Sequence, residues 1–475
     1  MNRSIRRIYL TIAGGFVALT LLLGYWQVVA ASGLEDRAGN LQTAQRDRLI
    51  DRGRILTADG TVLAASRARR VDGQRVFQRV YPQGSLAAHA VGYSSEQQGK
   101  TGLEATWNRF LAGSFGTEPI LQRLNLSEKK GADLHTYLRA DVQRVAVQAL
   151  GSQRGAVVAL DPRTGGVLAM ASSPTFDPSA INADFTSINT QPGAPLLNRA
   201  TGGTYPPGST FKVVTATAAL ESDLFRSSSR FDDTGSFSTP GGPIRNFGGR
   251  RFGEHTLRTA LTNSINTTFA RIGTTLGAAQ LGATMSAYGF GERPPIDLPE
   301  NEVVISGRRR DGQLLPNDEN GEDVARIAIG QERLDVTPLQ MAMVVQAIAN
   351  EGTLLAPQLM QRITDDGGSV VRQHVPEDLG QVADPATAAE LAGMMQNVVD
   401  EGTGTAAALS GLSVAGKTGT AETADSGRNQ AWFIGFAPVE DPQVAVAVVI
   451  EDTPSTGGAV AAPVAAQVMR TALEG

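Results

Sequence analysis

Between Ile8 and Ala31 the chain carries no charged residue, and Arg3, Arg6 and Arg7 stand just before that run. A helix over this stretch is long enough to cross a hydrocarbon core of about 30 Å. Everything downstream then has to fold as units hung from a membrane anchor. A secretory signal competes with this reading, since both begin with basic residues and an apolar run, and Val28-Val29-Ala30-Ala31-Ser32 resembles a cleavage site. Signal cores span only about 7–15 residues, and this run is longer, which favours a retained anchor. Basic flanks stay on the cytoplasmic side. The expectation is a cytoplasmic tail over 1–7, a transmembrane anchor over 8–31, and all later residues on the extracytoplasmic side of the cell membrane.

At 475 residues, two or three domains are expected. A net charge of −5, with scattered arginines, gives no sign of a nucleic-acid partner. The absence of cysteine removes disulfides, thiolate metal sites and cysteine nucleophiles together. His89, His135, His255 and His374 are widely spaced and form no metal-type pair, and no GxSxG elbow accompanies them. A serine nucleophile in this chain has to work without histidine.

From Ser32 to Ser152 the sequence is polar and turn-rich. Arg52 to Ser66 reads as two short strands about the Asp59-Gly60 turn. This segment shows no pocket chemistry and reads as a small, elongated, non-catalytic N-terminal module. The texture changes near Gly155. "GAVVALDPRTGGVLAMAS" gives two apolar strands about a turn at Asp161 to Gly165. "GLSVAGKTGTAE", "QAWFIGFAP" and "VAVAVVIED" give three more near the other end, and a closing helix follows. Between them lie helical patterns, among them 384–402, with Asp384 as N-cap, Pro385 at the first position and an apolar face of Leu391, Met394, Met395, Val398 and Val399. The expected fold is α+β (α/β): one antiparallel sheet built from both ends of 153–475 and flanked by helices.

The chain has five lysines: Lys100, Lys129, Lys130, Lys212 and Lys417. Lys212 follows Ser209 at a spacing of three in "TYPPGSTFK", where residues share one helix face. A serine hydroxyl is a poor nucleophile without a base beside it. An amine serves only when neutral, so its pKa must fall from about 10.4 through burial or a second cation. A solvated surface lysine is the plain alternative. Two further stretches shift the balance. Ser264-Ile265-Asn266 offers a hydroxyl and an amide two residues apart, for proton relay and amide anchoring. Lys417-Thr418-Gly419-Thr420 heads a strand, with a cation and two hydroxyls set for a carboxylate and a glycine beside which a substrate backbone can lie. KTG alone is not diagnostic, since Lys100-Thr101-Gly102 repeats it. SxxK, SxN and KTG in this order are known together from β-lactamases and penicillin-binding proteins.

"YPPGSTFK", "SIN", "GKTGTAE", "GAVVALDPRTGGVLAMAS" and "IGQERLDVTPLQMA" resemble those of class B penicillin-binding proteins, in particular their actinobacterial group. "RGRILTADGTVLA" and "TGLEATWNRFLAG" resemble that family's N-terminal module. Glu332 departs from the pattern, where a small residue, often glycine, is expected. The resemblance implies a transpeptidase domain over 153–475 after an N-terminal module over 32–152. It implies a D,D-transpeptidase acting on peptidoglycan stem peptides and acylated by β-lactams, with no metal or organic cofactor. Catalytic roles fall to Ser209 as nucleophile, Lys212 as base, Ser264 as relay and Lys417 as cation. Substrate-binding roles fall to Asn266, Thr418, Gly419 and Thr420, with the N–H groups of Ser209 and Thr420 as oxyanion hole. A SEDS-family glycosyltransferase is the implied membrane partner. A D,D-carboxypeptidase or β-lactamase, or a non-catalytic β-lactam-binding scaffold, would carry the same motifs.

Overall fold

The computed structural model describes residues 3–26, 48–115, 130–319, 323–422 and 428–474. Residues 27–31 of the expected anchor and the cleavage-like stretch lie outside them, as does Lys129. Arg3–Gly24 is one helix of 22 residues with no buried position. At 1.5 Å per residue it spans about 33 Å, long and apolar enough to cross a membrane.

Five strands form an antiparallel sheet in the order Ala415–Glu422, Asn429–Ala437, Val444–Thr453, Gly155–Leu160, Val167–Ser173. Both ends of the 153–475 segment therefore meet in one sheet, with Val448 opposite Val157. Alternation along the central strand divides two cores. Ala445, Ala447 and Val449 join the cluster that contains the wholly buried helix Pro338–Ala349. Val446, Val448 and Ile450 join the one that contains Ala461, Val464 and Val468 of the closing helix Gly457–Leu473. Helices cover both faces, which is why these strands read as unbroken apolar runs. Each fully buried valine or isoleucine there contributes about 1.5–3 kcal/mol.

A second sheet has six strands in the order Val370–Gln373, Met360–Thr364, Asp133–Thr136, Ile55–Leu56, Val62–Val71, Gln74–Val80. Ile55–Leu56 runs parallel to Asp133–Thr136; the other neighbours are antiparallel. Two of its strands come from residues 360–373, far beyond the boundary expected at residue 152. In the other direction, the helix Ala140–Leu150 buries Val142, Ala146 and Leu150 in the same cluster as Val157 and Val446. Strands from beyond residue 152 thus complete the six-stranded sheet, and a helix from before it packs on the five-stranded one. Helical spacing reveals that a face is buried but not which sheet covers it.

Buried polar groups brace the surroundings of the six-stranded sheet. The Asp297 carboxylate accepts from Trp107 Nε1 (3.0 Å) and from the N–H groups of Leu359 (2.6 Å) and Met360 (2.9 Å). Burial pushes this carboxyl up, against the pull of those donors. Nearby, the buried Glu104 bridges Arg52 and Arg79, each at 2.6 Å.

Candidate active site

Ser209 lies in a single 3₁₀ turn, Gly208–Phe211, that runs into the helix Lys212–Glu221. Gly208 has a φ of 51°, a conformation that glycine adopts without strain. Its N–H donates to Gly330 O at 3.0 Å, and a Cβ on Gly208 would stand 3.0 Å from Thr420 O. A Cβ on Gly330 would lie 2.0 Å from Gly208 O. The nucleophile turn is therefore wedged between the KTG strand and the loop at Gly330. Ser209 itself is half-buried.

Lys212 and Lys417 are fully buried. Lys212 Nζ faces Asn266 Oδ1 at 2.6 Å, Ser264 O at 2.8 Å and Ser264 Oγ at 3.2 Å. Lys417 Nζ donates to Ser264 Oγ at 2.9 Å and to Thr418 O at 3.0 Å. No carboxylate offsets either amine among these partners. Burial holds Lys212 well below the ordinary lysine range, and the Lys417 charge pushes it the same way. Burial lowers Lys417 to about 7.

SxxK spacing predicts the Lys212 amine at the Ser209 hydroxyl. Instead the amine bonds the SxN segment, and the Ser209 hydroxyl has no hydrogen-bond partner among the described residues. SxN behaves as its spacing suggests, in that both side chains converge on one point. Ser264 reaches it with a φ of 59°, just ahead of the helix Asn266–Ala287. The Asn266 amide is oriented at both ends, since its Nδ2 donates to Arg245 O at 2.9 Å.

The KTG strand Ala415–Glu422 is an edge of the five-stranded sheet, and no described strand pairs its outer side. An unpaired strand edge is the kind of surface to which an extended peptide adds as a further strand. The Thr418 hydroxyl lies 2.6 Å from Thr403 Oγ1, and Thr420 Oγ1 accepts from Gly457 N at 3.3 Å. A Cβ on Gly419 would meet Pro207 O at 2.8 Å and Thr210 Cγ2 at 2.9 Å, so the nucleophile turn packs closely against the strand at this glycine.

Sequence reasoning passed over several supporting residues. Trp432 Nε1 donates to Pro206 O at 3.0 Å, and Tyr205 meets the Trp432 ring edge-on. The Tyr205 hydroxyl donates to Glu451 Oε1 at 2.6 Å, which Arg199 also holds at 2.7 Å. Thr403 touches the KTG strand from the end of the helix Pro385–Asp400. Tyr205 lies within "YPPGSTFK" and Trp432 within a strand-like run, but the supporting contact of each of these residues is long-range.

A half-buried serine, two buried amines meeting at a second hydroxyl, and an open strand edge define a serine acyltransferase site of the penicillin-binding class. The chain belongs to that family: the penicillin-binding protein transpeptidase domain matches residues 155–470, and the penicillin-binding protein A dimerisation domain matches 52–133. The peptidoglycan D,D-transpeptidase PbpA of Mycolicibacterium smegmatis is 34% identical over 505 residues, covering 100% of this chain and 99% of the relative. The ceftriaxone acyl-enzyme complex of penicillin-binding protein A from M. tuberculosis superposes with a TM-score of 0.81 at 30% identity, over 90% of this chain and 100% of the other. The D,D-transpeptidase domain of a peptidoglycan glycosyltransferase from Eggerthella lenta gives 0.79 at 36% identity, over 90% and 98%.

Proposed function

We propose that this chain is a peptidoglycan D,D-transpeptidase in which Ser209 forms the acyl-enzyme and which β-lactams acylate at the same atom. One observation carries the reading: Lys212 and Lys417, both buried, meet at the Ser264 hydroxyl, at 3.2 and 2.9 Å. A neutral amine has two protons and one lone pair. Asn266 Oδ1 and Ser264 O use the protons of Lys212, and the lone pair is left to take a proton. Ser264 Oγ, accepting from Lys417, is then free to donate toward Lys212.

In this mechanism Ser209 Oγ attacks the carbonyl of the penultimate D-alanine, and its proton passes to Lys212. The N–H groups of Ser209 and Thr420 receive the developing oxyanion. The C–N bond breaks, and the terminal D-alanine leaves with the proton returned through Ser264. An amino group of a neighbouring stem then attacks the ester, forming the cross-link and restoring the Ser209 hydroxyl. Asn266 holds the acyl-side amide, while Lys417, Thr418 and Thr420 hold the terminal carboxylate. No metal or cofactor enters any step.

The basic flank at Arg3, Arg6 and Arg7 supports an anchor with its N-terminus in the cytoplasm and the catalytic domain outside. The segment between anchor and transpeptidase domain is short and poor in paired acids, so glycan polymerisation is assigned to a membrane partner of the SEDS family. Intact-mass spectrometry of the chain with a penicillin, followed by peptide mapping, tests the nucleophile. A persistent adduct on Ser209 is expected, and an adduct elsewhere overturns the assignment. A stem-peptide donor with an added acceptor amine then separates transfer from hydrolysis: cross-linked product supports the transpeptidase, and released tetrapeptide alone supports a carboxypeptidase.

A further inference from the structure

We infer that Thr403 is a positioning residue for the substrate carboxylate, acting through the hydroxyl of Thr418. The inference rests on the reading of Thr418 as a carboxylate holder and extends it to a residue outside all three motifs.

The two hydroxyl oxygens are 2.6 Å apart, so one of them donates to the other. The direction matters to an anion. If Thr418 donates to Thr403, it turns only lone pairs toward the substrate and repels a carboxylate. If Thr403 donates to Thr418, the Thr418 proton is free to bond the carboxylate. A carboxylate accepts and never donates, so its arrival selects the second arrangement. The chain Thr403 to Thr418 to carboxylate then polarises each bond in turn. Thr418 is almost fully buried while Thr403 is exposed, which leaves Thr403 free to re-orient its own hydroxyl proton.

The backbone holds Thr403 ready for this. Its N–H donates to Thr262 O at 3.3 Å, and the next N–H, of Gly404, donates to Val398 O at 2.9 Å. A Cβ on Gly402 would lie 2.4 Å from Thr262 O, so this close approach requires glycine. On its other side a Cβ on Gly458 would lie 2.5 Å from Thr403 O. Thr403 is thus fixed between the helix Leu257–Thr262 that leads to Ser264 and the start of the closing helix. Both threonines are β-branched, with restricted χ1. The contact is built from three segments and is not a chance touch of mobile side chains.

The test compares a penicillin with its methyl ester, using the detergent-solubilised full chain. The quantity read is the ratio of their second-order acylation rates. Thr403→Val is expected to lower the carboxylate-to-ester ratio about five-fold, the effect of one hydrogen bond. Thr403→Ser restores it, and Thr403→Ala, which adds no bulk, repeats the loss. Thr418→Val lowers it at least as far. If both hydroxyl-free variants at 403 keep the wild-type ratio, or lose both rates equally, Thr403 does not act on the carboxylate and the inference is overturned. If Thr418→Val itself leaves the ratio unchanged, the underlying reading of Thr418 fails, and Thr403 falls with it. Loss of all Ser209 labelling in wild type would instead refute the nucleophile, a separate result.

Discussion

Lys212 and Lys417 share one acceptor, the Ser264 hydroxyl, which lies 3.2 Å from the first amine and 2.9 Å from the second. Two cations cannot both be held there without offset, and burial lowers both. Acylation by a carboxylate penicillin should therefore rise with pH as Lys212 loses its proton. Above about 7 it should fall, as Lys417 loses the charge that attracts the carboxylate. The second-order rate constant reports the free enzyme, so this downturn is visible even though a bound carboxylate holds the Lys417 proton longer. A neutral ester should show the rise without the fall. A stopped-flow pH profile of both compounds is the check, and identical alkaline limbs would rule out Lys417 as the carboxylate's cation.

The same burial makes Lys417 a burden on the fold. Its folded pKa of about 7 lies below the unfolded value of about 10.4, so the unfolded chain binds more protons between the two. Stability then rises with pH across that window, and the penalty is complete below about 7. Lys417→Met should abolish acylation yet stabilise the domain by about 1–3 kcal/mol near pH 6. The gain should shrink toward about pH 10. Thermal unfolding at the two pH values measures it; a destabilised variant at the lower pH would show that the hydrogen bonds to Ser264 and Thr418 outweigh the desolvation.

Much of this site was legible because its chemistry is local. SxxK, SxN and KTG each fit within four residues, and the buried strands announce themselves as apolar runs covered on both faces. What escaped was set by distance along the chain. Nothing near Met360 says that its strand pairs with Asp133–Thr136, and nothing near Thr403 points to Thr418. A glycine in a reactive motif suggests close approach of another backbone, and at Gly419 the Pro207 carbonyl makes one such approach, which no local signal reveals. Asp384, placed by composition at a helix N-cap, occupies that position without a side-chain cap bond, and its N–H is taken by Glu221 at 3.0 Å.

Glu332 stands where a small residue was expected, and the backbone shows why. It has a φ of 60°, as has Arg333, two residues beyond the Gly330 that braces Gly208. A left-handed non-glycine residue costs about 1–2 kcal/mol, part of which glycine gives back through its freer unfolded chain. The Glu332 side chain makes no hydrogen bond or ion pair among the described residues, so no polar contact is lost on removing it. Glu332→Gly should stabilise the protein by about 0.5–1 kcal/mol and raise Tm by roughly 1–4 °C. Calorimetry decides, and a lowered Tm would mean that the loop draws support from its side chain.

Beneath the nucleophile turn, Glu451 accepts from the Tyr205 hydroxyl at 2.6 Å and from Arg199 Nε at 2.7 Å, with Arg154 at 3.5 Å. The Arg199 side chain is only 4% exposed, so the carboxylate is its main charge partner. Arg199 also donates to Gly193 O and Ala194 O, which fixes it in place whether or not the carboxylate is present. Tyr205→Phe removes one hydrogen bond to a charged group and leaves the Trp432 contact, so a loss of about 1.5–3 kcal/mol is expected. Glu451→Ala leaves a buried guanidinium unpaired and should cost about 3–5 kcal/mol. The turn that carries Ser209 hangs from Tyr205, whose backbone exchanges hydrogen bonds with Val336 at 3.0 and 2.9 Å. Both variants should therefore slow acylation as well, Glu451→Ala more than Tyr205→Phe. Urea unfolding alongside penicillin acylation rates gives both rankings. A Tyr205→Phe effect equal to that of Glu451→Ala would move the anchor of the turn from the ion pair to the tyrosine hydroxyl.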